Sequence, residues 1–235
     1  MFGRLASAFK ALWFGLVSPQ RLSDITTESA VAIFAAAVLV LSVTNTATAF
    51  IEGSDPALSA ESNTLLSYQP GLSSGGEQVD LSSSQRQFTA VFGGALIRAI
   101  ISMAVLAGLF YLIARFLTDQ PFRYSLAIAA VGSAVLIEVI QSAVTVPAHL
   151  FFHTSRAGLH LGAFIAPTQH PFLFAWLQRF DVFALWQYIV IAMGLGSTTG
   201  LHYRYAFVVG PVVFTVVQLI FGGLALVAWI TSQGM

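Results

Sequence analysis

Over the first seventeen positions, apolar residues recur at helical spacing: Phe2, Leu5, Phe9, Leu12, Trp13 and Leu16, with Arg4, Ser7 and Lys10 between them. That pattern predicts an amphipathic helix lying in a membrane interface, or a short helix packed on the chain's own apolar segments. Pro19 then breaks it ahead of Arg21. From Ala30 the pattern changes to long runs without periodicity. A bilayer core needs about 20 apolar residues per helical crossing, and five runs qualify: 30–50, 88–114, 124–148, 181–200 and 205–230. The expected architecture is all-α: an N-terminal amphipathic segment, 1–29, and a membrane domain of five transmembrane helices, 30–235. The Ala47-Thr48-Ala49 triplet resembles a cleavage site. A charged leader of nearly thirty residues is long for a signal peptide, so the first run reads as a retained span.

The stretch between the first two spans, 51–87, is polar, with Glu52, Asp55, Glu61, Glu77 and Asp80 against Arg86. Its Ser and Gly content predicts a mobile, weakly acidic loop, or one ordered against the membrane surface. The connection from Leu150 to Phe180 mixes His153, Arg156, His160, His170 and Arg179 with an aromatic second half suited to the interface. With the N-terminus inside, cytoplasmic segments hold the six residues Arg4, Lys10, Arg21, Arg115, Arg123 and Arg204. Outer segments hold three, Arg86, Arg156 and Arg179. Positive charge favours the cytoplasm, so the N-terminus is expected inside and the C-terminus outside.

Composition agrees with the pattern. Hydrophobic residues make up 57% and charged residues 9% of the 235, where a soluble domain carries about 25% charged. The zero net charge gives no sign of nucleic-acid binding. Cysteine is absent, which excludes disulfides, thiolate metal sites and a cysteine nucleophile.

Two ionisable residues lie inside spans. Arg98 and Glu138 are each ten residues from the outer ends of adjacent spans, so at 1.5 Å per residue both lie roughly 15 Å deep. An ionised group near the bilayer centre costs about 2.5–3.5 kcal/mol on insertion scales. A direct ion pair fixing helix register is expected; a proton or ion relay is the alternative. Glu138, Gln141, Ser142, Thr145, His149 and His153 form one stripe running outward along the third span. Such a stripe either hydrogen-bonds to neighbouring helices or lines a wet cavity. His149 and His153, one helical turn apart, are weak metal candidates, with His160, His170 or Glu138 able to join them. Gln218 is read as a further mid-membrane polar residue, and Gly194, Gly196 and Gly200 permit close helix contact. Asp181 suits an N-cap, and Trp186 an interfacial anchor. No nucleotide loop or nucleophile elbow is present.

At the fourth span the chain resembles a known family. Asp181-Val-Phe183-Ala-Leu-Trp186, followed by Gly194-Leu195, is similar to the D-x-F-x-x-W … G-L signature of the Yip1 domain family. Pro19 after the amphipathic segment, Pro121-Phe122-Arg123-Tyr124-Ser125-Leu126 and Tyr203-Arg204-Tyr205-Ala206 resemble further family features, in the same order. The resemblance spans nearly the whole chain. Where the family often has a proline midway along the third span, this chain has Ala134-Val135. The resemblance implies a short prokaryotic member in the plasma membrane. The Rab-linked role of the eukaryotic proteins is not carried over, since this chain has no comparable N-terminal extension before Ala30. The expected function is therefore non-enzymatic membrane organisation, trafficking or scaffolding. It needs no cofactor, and its partners are the bilayer and other membrane proteins or further copies of itself. The alternatives are a small transporter or channel using Arg98, Glu138 and the polar stripe, and a His-based metal-binding membrane protein.

Overall fold

The computed structural model describes residues 25–67, 84–118, 122–167, 169–199 and 203–233, with Trp13, Ser18 and Leu22. The expected amphipathic helix therefore lies outside the described residues, although Leu22 is buried and joins the core. Among the described residues the fold is helical: α1 (Thr27–Gly53), α2 (Pro56–Ser67), α3 (Ser84–Leu117), α4 (Tyr124–Phe152), α5 (Pro171–Leu177), α6 (Val182–Thr199) and α7 (Ala206–Gln233). Short 3₁₀ turns cover Leu161–Phe164 and Tyr203–Tyr205. Four helical stretches are long and apolar enough to cross a membrane: Thr27–Gly53, Phe88–Leu117, Tyr124–Phe152 and Ala206–Leu224. The fourth expected span is a shorter apolar helix, Val182–Ser197.

Of the polar segment expected as a loop, 51–87, the first part differs from that expectation, and 68–83 lies outside the described residues. Helix α1 runs on to Gly53, and α2 follows after a two-residue break. The local reason is legible in Asp55-Pro56. Asp55 Oδ1 accepts the backbone N–H groups of Ala57 and Leu58 at 2.9 and 3.2 Å. Pro56, at the first helical position, has no N–H to satisfy. Helix α4 likewise runs past Pro147 to Phe152. It ends at His153, whose left-handed φ of 51° turns the chain and lets its N–H reach the carbonyl of His149.

Helix α4 is the centre of the bundle and packs on α1, α3 and α6, while α7 packs on α6. Small residues let α1 and α4 approach closely. Ala30, Ala36 and Ala37 on one side face a helix carrying Ala127, Ala130, Gly132 and Ala134 on the other, all buried. A Cβ on Gly132 would lie 2.9 Å from a methyl of Ile33. Buried hydroxyls are satisfied within their own helices: Ser42 on Val38, Thr46 on Ser42, Ser133 on Ala129 and Thr199 on Leu195. Each costs no interhelical partner and keeps the apolar seam intact. Aromatic contacts tie α3, α6 and α7: Phe110 and Phe214 flank Tyr188 with ring centroids 5.7 and 5.4 Å away. The outward faces remain apolar, as in Ile101, Val105, Leu219 and Leu224, which suits contact with lipid.

Helices α6 and α7 cross closely, and a Cβ on Gly210 would lie 2.7 Å from Ile189 Cα and 2.9 Å from its nitrogen. Backbone cannot swing aside as a side chain can. Gly210→Ala is expected to lower stability by about 1–3 kcal/mol through overpacking, measured by thermal unfolding in detergent. An unchanged midpoint would mean that the two helices are free to separate.

Candidate functional site

Helix packing brings the polar residues into two groups: one inside the bundle and one at the end shared by α1, α2 and α4. Inside, Glu138 on α4 faces Gln187 on α6, and the amide Nε2 donates to Glu138 Oε1 at 2.6 Å. Gln187 is buried. This corrects the expected ion pair. Arg98 does not meet Glu138; it makes no hydrogen bond or ion pair among the described residues and is exposed beside a cavity at the other side of α1. The reason is the bundle order. Helix α4 turns its Glu138 face to α6, whereas Arg98 stands on the outer surface of α3. Helical rise alone places two residues at one depth but leaves their azimuth free.

The polar stripe continues as expected but finds partners that periodicity could not supply. Gln141 and Thr145 are half-buried, and the Thr145 hydroxyl donates to the Gln141 carbonyl at 2.9 Å. His149 Nδ1 lies 2.6 Å from Glu52 Oε1, and His153 Nδ1 lies 2.5 Å from Asp55 Oδ2. The next two residues complete the clasp. Glu61 Oε1 accepts from the Thr154 hydroxyl at 2.9 Å, and Oε2 accepts the backbone N–H and hydroxyl of Ser155 at 2.8 and 2.7 Å. Three carboxylates from the acidic segment therefore hold the elbow at the end of α4. Charge-assisted hydrogen bonds of this kind are short and stronger than neutral ones. They also assign the two candidate metal ligands to separate carboxylates, and no group of three metal-binding side chains occurs among the described residues.

Beyond the elbow, the connection folds back on itself. His160 and Asp181 form an isolated antiparallel bridge: Leu161 N–H donates to the Phe180 carbonyl at 3.1 Å, and Val182 N–H to that of Leu159 at 3.0 Å. Asp181 then caps α6 as expected, with Oδ1 accepting Phe183 and Ala184 N–H at 2.7 and 3.2 Å. Phe183 is half-buried against the core, Gly194 is buried, and Trp186 is 41% exposed on the outer surface. The connection is anchored by Trp176, whose indole N–H donates to the Gln218 carbonyl at 3.3 Å. Gln218 is buried, and its backbone carbonyl ties the connection to α7.

Titration follows from these contacts. Asp55 is held below its ordinary carboxyl range first by the His153 hydrogen bond and next by the Leu58 N–H. Burial raises Asp181, against the pull of its two backbone donors. Burial lowers His160, against its hydrogen bond to the Ser155 carbonyl and the charge of Asp181, with His149 adding to the depression. Among the described residues His149 Nε2, His160 Nδ1 and Asp181 Oδ2 are buried without a hydrogen-bond partner.

The third feature is a cavity of about 480 Å³ between the acidic clasp and α3. Its polar lining comes from Asn45, Thr48, Glu52, Ser62, Arg98 and Gln178. Sequence reasoning missed Glu52, Asp55 and Glu61 as structural ligands and missed Gln187 as the partner of Glu138. An uncharged polar residue within an apolar run was the signal for Gln187. No family model, no curated protein and no solved structure matches the chain.

Two predictions follow from this geometry. Replacing Gln187 with Leu leaves the Glu138 carboxylate without its donor inside the bundle, and should cost about 1–3 kcal/mol or more. Glu138→Gln should be better tolerated in the same unfolding assay. For pH, His160 takes up its proton more readily unfolded, near 6.5, than folded. Its contribution to stability is therefore full above about 6.5 and falls as pH drops through the window below. Asp181, raised, acts in the opposite sense, and Asp55, lowered, gives stability that is fully present above its ordinary 3.8 and is lost as pH falls below it. His160→Gln should flatten the fall in melting temperature between about pH 7 and 5; an unchanged slope would assign it elsewhere.

Proposed function

We propose that this chain is a five-span membrane protein of Yip1 type that organises membrane or partner proteins and carries out no chemistry of its own. The observation that carries the reading is the closed contact between Glu138 and Gln187. The most deeply placed acid of the bundle serves helix association and does not line the polar cavity. A transport route through Glu138 would need that carboxylate to meet solute or water. The clasp residues support the same reading, because their polar atoms join one segment of the chain to another.

The short α6 is the additional crossing, with its ends completed by the Asp181 cap and the turn before α7. The ordered motifs around Asp181, Trp186 and Gly194 are the basis for the Yip1 type. The resemblance is to the short prokaryotic members in the plasma membrane, and the charge asymmetry of the connections supports the N-terminus inside and the C-terminus outside. A second reading, a small transporter, draws on the cavity beside Arg98.

The two readings separate in proteoliposomes and in native membranes. The organising role predicts no solute flux, and recovery of crosslinked partner proteins or further copies of the chain. Flux that Glu138→Gln abolishes would replace it with transport. Recovery of bare monomer from crosslinked native membranes would also count against it. Orientation is accessible because the chain has no cysteine. Gln169→Cys, on the exposed connection, should react with an impermeant maleimide in intact cells. Glu28→Cys should react only after permeabilisation, and the reverse pattern would invert the topology.

A further inference from the structure

Arg98 combines three properties that are hard to reconcile with an isolated surface charge. It lies within an apolar crossing, ten residues from Phe88. It makes no hydrogen bond or ion pair among the described residues, and the acid sharing its cavity, Glu52, is already engaged by His149 at 2.6 Å. Its neighbours on α3 are exposed apolar side chains: Ile97 at 60%, Ile100 at 42% and Ile101 at 58%. On α1, Val43 at 53% and Ile51 at 44% continue the same kind of surface. The cavity is thus polar within and bordered by surfaces suited to lipid.

We infer that this cavity binds the headgroup of a phospholipid, with Arg98 holding the phosphate. A guanidinium in an apolar layer needs an anionic partner, and its planar fork matches phosphate oxygens. Besides Glu52 and His149, which are engaged with each other, the lining includes groups that both donate and accept: the amides of Asn45 and Gln178 and the hydroxyls of Thr48, Ser59 and Ser62. Such a set suits a hydroxylated headgroup, as in phosphatidylglycerol. The acyl chains would lie along Ile97 and Ile101 on the outer surface of α3. The site rests on the reading of these helices as bilayer crossings, and not on the Yip1-type role.

The test uses the full chain purified in dodecyl maltoside, titrated with phosphatidylglycerol and with diacylglycerol of the same chains, with bound lipid counted by native mass spectrometry. Wild type should retain phosphatidylglycerol and not diacylglycerol. Arg98→Gln should weaken retention by about tenfold or more, the scale of one lost charge-assisted contact. Arg98→Lys should keep much of it. Because Arg98 makes no hydrogen bond or ion pair among the described residues, Arg98→Gln should unfold at the same temperature, which separates lost binding from lost folding. Equal retention by Arg98→Gln, or equal binding of diacylglycerol, would overturn the site. Arg98-dependent binding of soluble glycerol 3-phosphate, without lipid retention, would overturn the lipid as its source. Release of the chain from membranes by alkaline carbonate would instead overturn the bilayer reading on which the site depends.

Discussion

The clasp between the acidic segment and the end of α4 sets the geometry of everything at that end of the molecule. Glu52, Asp55 and Glu61 lie within ten residues of one another, and His149 to Ser155 present their donors over two turns. Exposed ion pairs contribute little one at a time, about 0–1 kcal/mol. Here the acceptors converge on one elbow, and two of the four clasped residues are reached through hydroxyls or backbone N–H, which carry no charge to be screened. The clasp joins α1 to α4 at the end where their small-residue seam finishes. It also occupies Glu52, which otherwise would be the natural partner for Arg98 across the cavity.

From the elbow the chain must return to the start of α6, and it does so without leaving its polar backbone exposed to apolar surroundings. The His160–Asp181 bridge pairs two backbone segments, Asp181 caps the helix, and Trp176 fastens the connection to α7. A Cβ on Gly222 would lie 2.0 Å from the Trp176 indole nitrogen, so the indole sits directly against the α7 backbone. The buried, unpartnered atoms of His149, His160 and Asp181 mark where this packing leaves polar capacity unused.

Two acids thus have different duties although both lie within or beside apolar helices. Glu138 is a helix-to-helix contact through Gln187, and Asp181 is a cap. Arg98 is unlike either, since its polar surroundings form a cavity and not a partner. The arrangement divides the molecule into an inner bundle whose polar groups serve packing and an outer cavity whose polar groups face outward.

The apolar runs by themselves determined where the helices lie. Predominantly apolar stretches of that length have few alternatives, because backbone polar groups in a bilayer must be satisfied within the segment. Asp181 was legible as a cap for the same local reason, since a cap depends on residues two and three places away. The N-terminal amphipathic pattern falls outside the described residues. Asp55-Pro56 carried an equally local helix-start signal within a segment whose composition suggested a loop. What only the tertiary structure decided was azimuth and partnership. Depth follows from counting residues along a helix, but the direction a side chain faces depends on which helices surround it. That is why Glu138 found Gln187 and not Arg98, and why the stripe ending in His149 and His153 met carboxylates nearly a hundred residues away in the chain.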